Sequence, residues 1–268
     1  MNLHLQNKVI MVTGGAKGIG EGICRVLAAE GAIPAVVGRN AADNAAAVAA
    51  IEKSGGQAFA VQAELSDTAE VKKAVETVAA RFGRIEGLVN NAGVNDGVGL
   101  QNGTTEQFIA SLRKNLTHYF EMAQFCLPYL KQSRGAIVNI SSKTAETGQG
   151  GTSAYAAANG GRNALTREWA VELRDDGIRV NALVVAECMT PLYKKYLETL
   201  DNPAEVLAQI QERIPLGSRM TTSEEIANMV VFLLSDCSSH TTGQLIHVDG
   251  GYVHLDRALL SNAHRKNL

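Results

Sequence analysis

Two side chains in this sequence could share a proton with a substrate. Ser142 closes the stretch Ala136–Ile140–Ser141–Ser142, and Tyr155 follows thirteen positions later, near the start of a long helical pattern. A hydroxyl and a phenol held side by side can grip one substrate oxygen and take or return its proton. A second stretch, Thr13-Gly14-Gly15-Ala16-Lys17-Gly18-Ile19-Gly20, could hold a phosphate. Glycines there let the backbone turn tightly and approach a pyrophosphate, whose charge is favoured at a helix N-terminus. The Gly14, Gly18 and Gly20 spacing is not the GxGxxG form, so its weight comes from its place after the first strand pattern.

The elements that must position these residues are legible as alternating apolar runs and amphipathic segments. Strands are expected at Val9–Thr13, Ile33–Val37, Ala58–Gln62, Leu88–Val89, Ala136–Ile140, Val180–Val184 and Leu245–Val248. Helices are expected to about Glu30, near Ala42–Lys53, over Thr68–Phe82, and as long stretches around Phe108–Tyr129 and Ala154–Leu173. Apolar strands alternating with helices imply a parallel sheet covered on both faces. The expected fold is therefore α/β: one doubly wound, Rossmann-type domain over 1–268, with about seven strands. Ligands of such a sheet bind beyond the carboxyl ends of its strands. The segment Cys188–Arg219 breaks the rhythm and reads as a substrate lid.

Composition narrows the function. A net charge of −2 offers no basic field for nucleic acid or an anionic membrane. The four cysteines are scattered with no CxxC pair, which argues against zinc and disulfides and fits a reducing compartment. No metal is expected. No apolar run is long enough to span a bilayer, and the first ten residues lack a leader pattern, so the cytoplasm is the expected location.

Cofactor choice is read at the end of the second strand, Val37-Gly38-Arg39-Asn40, where no acid waits for a ribose diol. Arg39 and Lys17 could neutralise a 2′-phosphate, so NADP is expected, with NAD the alternative.

The motifs together resemble the short-chain dehydrogenase/reductase family. They are TGGAKGIG at 13–20, Asn90-Asn91-Ala92-Gly93, Asn115, Asn139-Ile140-Ser141-Ser142, Tyr155, Arg179-Val180-Asn181-Ala182, Thr190-Pro191 and Val248-Asp249-Gly250-Gly251. Their order and spacing span almost the whole chain. The resemblance implies direct hydride transfer, with Tyr155 as proton acceptor, Ser142 as hydrogen-bond partner and Asn115 supporting a water-linked proton path. It implies that Gly14, Lys17, Gly18, Ile19 and Gly20 of the glycine turn bind the cofactor. It places Asn91, Ala92 and Gly93 on the adenosine side, Glu64 and Leu65 near the adenine, and Thr190 at the carboxamide or a phosphate. It also implies a homotetramer joined through the long helices carrying Asn115 and Tyr155. Trp169, on the second of these, is an interface anchor or a core residue. The tail Ala258–Leu268 could reach a neighbouring subunit.

One position departs from the family pattern. A lysine belongs four residues after the tyrosine, where it binds the nicotinamide ribose and favours the phenolate; here Asn159 stands in its place. Free tyrosine titrates near ~10. A cation at about 5 Å is worth on the order of 3 kcal/mol at an effective dielectric of ~20, or roughly two pKa units. Three explanations compete. The enzyme is slow or has an alkaline optimum; another cation, Arg162 or Lys143, substitutes; or the chain binds dinucleotide without turnover, as a sensor.

Substrate choice is carried by local resemblance. The stretches KTAETGQ at 143–149, ALTREWAVEL at 164–173, VVAE at 184–187 and DGGYVHLDR at 249–257 are similar to the sugar-oxidising branch, the bacterial L-fucose dehydrogenases. Asn95, Asp96, Thr144, Glu146, Gln149 and Glu187 lie in turns expected to face the substrate, and a polyol needs such fixed donors and acceptors. The expected reaction is oxidation of an aldose at its anomeric hydroxyl to a lactone. The alternative is reduction of a 3-oxoacyl-type carbonyl, for which Met189, Leu192, Tyr193 and Leu197 in the lid would offer apolar surface.

Overall fold

The apolar runs pair into one parallel sheet. The computed structural model describes residues 2–256. Its strands are β1 (Val9–Thr13), β2 (Ile33–Gly38), β3 (Phe59–Gln62), β4 (Gly87–Asn90), β5 (Ala136–Ser142), β6 (Arg179–Val185) and β7 (Leu245–Val248). They lie in the order β3-β2-β1-β4-β5-β6-β7, and every neighbouring pair is parallel. The order reverses between β1 and β4, which opens a crevice above their carboxyl ends. This is the expected doubly wound α/β architecture.

Strand periodicity divides the core into two layers. Ile10 and Val12 of β1 face one side, with Ile23 and Leu27 of α1 (Gly18–Ala29). The sheet's connections run through α2 (Ala41–Lys53), α3 (Thr68–Phe82), α4 (Thr105–Leu112), α5 (His118–Ser133), α6 (Ser153–Glu172), α7 (Pro191–Leu197), α8 (Pro203–Glu212) and α9 (Ser223–Leu234). Val230 and Val231 of α9 complete the first layer. Val9 and Met11 face the other side, with Val75 of α3, Met122 of α5 and Trp169 of α6. Trp169 is 6% exposed, so of its two readings the structure supports the core one.

One expectation needs correction. The single helix expected around Phe108–Tyr129 is broken: α4 stops at Leu112, and a π-helical turn, Arg113–Thr117, precedes α5. A π turn inserts one extra residue per turn and re-aims its side chains, and such turns are frequent at functional sites. Asn115 sits in this one. The segment Cys188–Arg219 carries helical structure of its own. Its base is closed by a bridge between Cys188 and Thr221, whose amide donates to the Glu187 carbonyl at 3.0 Å. The Leu216 amide donates to Gly250 at 2.9 Å. Between these ties stand α7 and α8, and α8 has no buried residue. The tail Ala258–Leu268 lies outside the described residues.

Among the described residues, no helix is long and apolar enough to cross a membrane.

Candidate active site

The glycine turn is shaped by close backbone approach. Gly14 and Gly18 have φ of 64° and 60°, a region that L side chains avoid. A Cβ on Gly20 would stand 2.2 Å from the Gly14 carbonyl oxygen. No side chain caps the first turn of α1, so its leading amides remain available to an anion. A Cβ on Gly18 would meet the Thr190 methyl at 3.1 Å. The start of the insertion is thus folded onto the glycine turn. These features fit a dinucleotide diphosphate.

The charges proposed to read the 2′-position are less free than the sequence suggests. Lys17 pairs with Asp43 at 2.6 Å. Arg39 is exposed, and its carbonyl accepts from the Gln62 side chain at 3.1 Å. Glu64 turns back to accept from the Ser66 amide (3.0 Å) and hydroxyl (2.8 Å). These bonds, the amide's first, hold its carboxyl below the ordinary carboxylate range. Leu65 packs against the second core layer, and Ile19 against the first.

Thr13, which sequence reasoning did not single out, organises the loop after β4. Its Oγ1 accepts from the amides of Asn91 (2.8 Å) and Ala92 (3.0 Å). Asn91 Nδ2 donates to the Thr13 carbonyl at 2.8 Å. This joins the two strand ends that flank the crevice.

Ser142 and Tyr155 are carried on facing elements. Ser142 is buried at the end of β5, where its Oγ accepts from the Thr144 amide at 3.3 Å. Tyr155 is half-buried in the first turn of α6. Ser141 Oγ donates to the Asn159 carbonyl at 3.3 Å, tying β5 to α6 beside both residues. Asn159 is fully buried; its Nδ2 donates to the Tyr155 carbonyl at 2.8 Å. Its Oδ1 accepts from Arg162 at 2.9 Å. Asn115 Oδ1 accepts from the Val94 amide at 2.8 Å, while its Nδ2 donates to the Ser111 carbonyl at 3.1 Å. A buried chain runs behind this, from Asn90 to Asn139 (3.0 Å), to Thr166 (3.0 Å) and to the Arg162 carbonyl (2.8 Å). Sequence reasoning missed that chain as a unit.

The expected substrate residues separate into groups. Glu187 is two residues past β6, and Lys143 follows Ser142; the two form an ion pair with side chains 12% and 11% exposed. The Lys143 ammonium lies 4.0 Å over the Tyr252 ring. Burial, and then the Glu187 carboxylate, push the Tyr193 phenol well above its usual value. Thr144 Oγ1 is buried with no protein partner. These groups converge at the carboxyl ends of β5, β6 and β7. Glu146 goes elsewhere, meeting His247 at 3.0 Å; His247 stacks edge-on against His254. Those three border a cavity of about 720 Å³ whose lining includes Asn163 and Arg167 but neither Ser142 nor Tyr155. Asn95 and Gln149 are exposed. Asp96 accepts from Ser111 Oγ at 2.7 Å, which occupies it structurally.

The chain is similar to known proteins along nearly its whole length. A family profile described as enoyl-(acyl carrier protein) reductase matches residues 14–253. The chain is similar to 3-oxoacyl-[acyl-carrier-protein] reductase of Thermotoga maritima, 36% identical over 94% of this chain and 100% of that protein. It is similar to meso-2,3-butanediol dehydrogenase of Serratia marcescens, 34% identical over 93% of this chain and 96% of that one. Among solved structures, the Cj0485 dehydrogenase superposes with a TM-score of 0.93 at 48% identity, covering 97% of this chain and 99% of that chain. Levodione reductase superposes with a TM-score of 0.87 at 32% identity, covering 92% and 98%.

Proposed function

Because the chain belongs to the short-chain dehydrogenase/reductase family, we propose that it exchanges hydride between NADP and the carbinol carbon of a small hydroxylated substrate, oxidising the C1 hydroxyl of an aldose such as L-fucose to a lactone. The observation that carries the substrate class is the Lys143–Glu187 pair beside Ser142, bordered by Tyr193 and Tyr252. Fixed charges and hydroxyls suit a polyol, whose own hydroxyls must be matched when buried.

Gly14, Gly18 and Gly20, with the first amides of α1, would hold the diphosphate, and Thr190 would close on it from the insertion. Asn91, Ala92 and Gly93 would flank the adenosine side. NADP is favoured because β2 ends at Gly38 and the following Arg39-Asn40 brings no carboxylate. The bound nicotinamide ring would supply the hydride acceptor. Ser142 Oγ would hydrogen-bond the substrate oxygen and hold its carbon in line. Tyr155, as phenolate, would accept the hydroxyl proton and return it to solvent along the Asn115 side of the pocket. The carbon loses hydride and the oxygen loses a proton, so alcohol and oxidised cofactor give carbonyl, reduced cofactor and one proton.

A second reading is reduction of a 3-oxoacyl-type or small diketone carbonyl. The names of the curated relatives favour it over a sugar, and Met189, Leu192 and Tyr196, exposed on the insertion, would suit an apolar chain. A substrate panel separates the two. Aldoses with oxidised cofactor, and 3-oxoacyl thioesters and diketones with reduced cofactor, are assayed at neutral and alkaline pH. Turnover of aldoses supports the first reading; turnover of the ketones alone replaces it with the second. KM for NADP below that for NAD is expected, and the reverse order removes the NADP assignment. An oligomer is also proposed, joined through α4, α5 and α6, where Ile109, Phe120 and Val171 are exposed; a monomer in light scattering would exclude it.

A further inference from the structure

Asn159 removes a cation from the site, and the same helix offers another one turn later. Arg162 is 2% exposed. Its guanidinium donates from Nε to the Asn115 carbonyl at 2.8 Å, and Nη2 donates to the same oxygen. Nη1 donates to the Ile140 carbonyl at 3.1 Å and to Asn159 Oδ1 at 2.9 Å. No carboxylate is paired with it among the described residues. A buried charge left without a counter-ion is unfavourable for folding, and such charges cluster at functional sites.

The position of that charge is specific. The guanidinium carbon lies 4.2 Å from the Tyr119 ring centre and 6.0 Å from the Tyr155 ring centre. A Cβ on Gly93 would meet Nη2 at 2.9 Å and Asn115 Oδ1 at 3.0 Å. The guanidinium edge therefore reaches the loop that follows β4. The other titratable groups nearby do not compete. His118 is driven down to about 3 by burial and by Arg162 itself, so it is neutral. The Tyr119 hydroxyl donates to the Ile140 carbonyl at 3.0 Å, and burial pushes its phenol up, so it keeps its proton. Lys143 is taken up by Glu187 and the Tyr252 ring.

We propose that Arg162 is the working cation of this site, favouring the deprotonated form of Tyr155 and fixing the Asn115 main chain, with Asn159 holding the guanidinium in place. This rests on Tyr155 acting as the proton acceptor described above. Arg162 is a positioning residue: it acts through Tyr155 and Asn115. The neutral Asn159 is then a requirement, because a lysine there would set a second cation against the guanidinium.

The test reads the phenol directly. The phenolate absorbance present in the parent protein and lost in Tyr155→Phe is followed against pH, without substrate. It is repeated in Arg162→Gln, which keeps amide donors but removes the charge, and in Arg162→Lys. The ionisation midpoint is expected to rise by about one to two pH units in Arg162→Gln and to stay near the parent in Arg162→Lys. The acidic limb of kcat/KM should move with it. Should Arg162→Gln not fold, the isosteric Asn159→Asp pairs the guanidinium with a carboxylate and must raise the same midpoint. A folded Arg162→Gln or Asn159→Asp whose phenol ionises at the parent's pH overturns the proposal. Since no substrate is involved, a shifted phenol in a protein that turns over neither aldoses nor ketones would refute the redox reading and leave the role of Arg162 standing.

Discussion

Asn90, Asn139, Thr166 and Arg162, behind Tyr155, are buried and joined by hydrogen bonds; the insertion carrying α7 and α8 leaves Met189, Leu192 and Tyr196 44%, 56% and 54% exposed. One region is held by a connected set of buried hydrogen bonds, so a shift would break several of them at once. The other is tied at its two ends and buries only Leu197 and Ile214 between them, so it can adjust at smaller cost. Proton transfer needs the first property, and admitting or selecting a substrate needs the second. Substitutions in the two regions should therefore fail differently: in kcat on one side, in KM on the other.

The largest effect is expected at the fixed side. Tyr155→Phe should lower kcat by about 10²–10⁴-fold, with dinucleotide binding retained in a fluorescence titration. Loss of binding instead would mean that the phenol is structural. Next comes the border between the regions. Glu187→Gln leaves Lys143 buried without its partner, which should destabilise the fold by about 3 kcal/mol in chemical denaturation and raise substrate KM. An unchanged denaturation midpoint would show that the pair is already solvated. In the insertion, Leu192→Ser or Tyr196→Ser should change stability by no more than about 0.5 kcal/mol while altering KM. A loss confined to kcat would place the insertion with the fixed side.

A pH slope gives a further test of the fixed region. His118 is neutral in the folded chain, with its pKa lowered from 6.5 to about 3. Below 6.5 the unfolded chain binds a proton that the folded chain refuses until about 3. Stability contributed by the neutral ring is therefore present above 6.5 and is lost as pH falls through that window. His118→Asn should flatten Tm against pH between those limits. Parallel curves would show that the ring titrates normally.

Sequence periodicity was enough to read the sheet, because the central strands, buried on both faces, are mostly apolar. The glycine turn, the Asn91 loop and the Ser142–Tyr155 spacing were legible because each sits at a strand end and keeps a fixed local pattern. What was not legible depends on contacts distant in sequence. The π turn at Arg113–Thr117 leaves the apolar pattern intact across it, so the helix read as continuous. Lys17 looked like a phosphate ligand until α2 brought Asp43 beside it. Glu146 and Glu187 looked alike in sequence, yet one faces His247 and the other Lys143. Lys143 and Arg162 were both candidates to supply the missing charge. Only folding shows that the first is neutralised by Glu187 and the second is not neutralised by any described carboxylate.

The most direct measurement is label transfer between the nicotinamide C4 and the reacting carbon, with whichever panel substrate is turned over: from a C1-deuterated aldose to oxidised cofactor, or from C4-deuterated reduced cofactor to a ketone. Deuterium should appear on the nicotinamide C4 in the first case, or on the carbinol carbon of the product in the second, without dilution by solvent, and Tyr155→Phe should transfer it far more slowly. Deuterium exchanged into water, or undiminished transfer in Tyr155→Phe, would contradict hydride transfer at a site whose proton is handled by Tyr155.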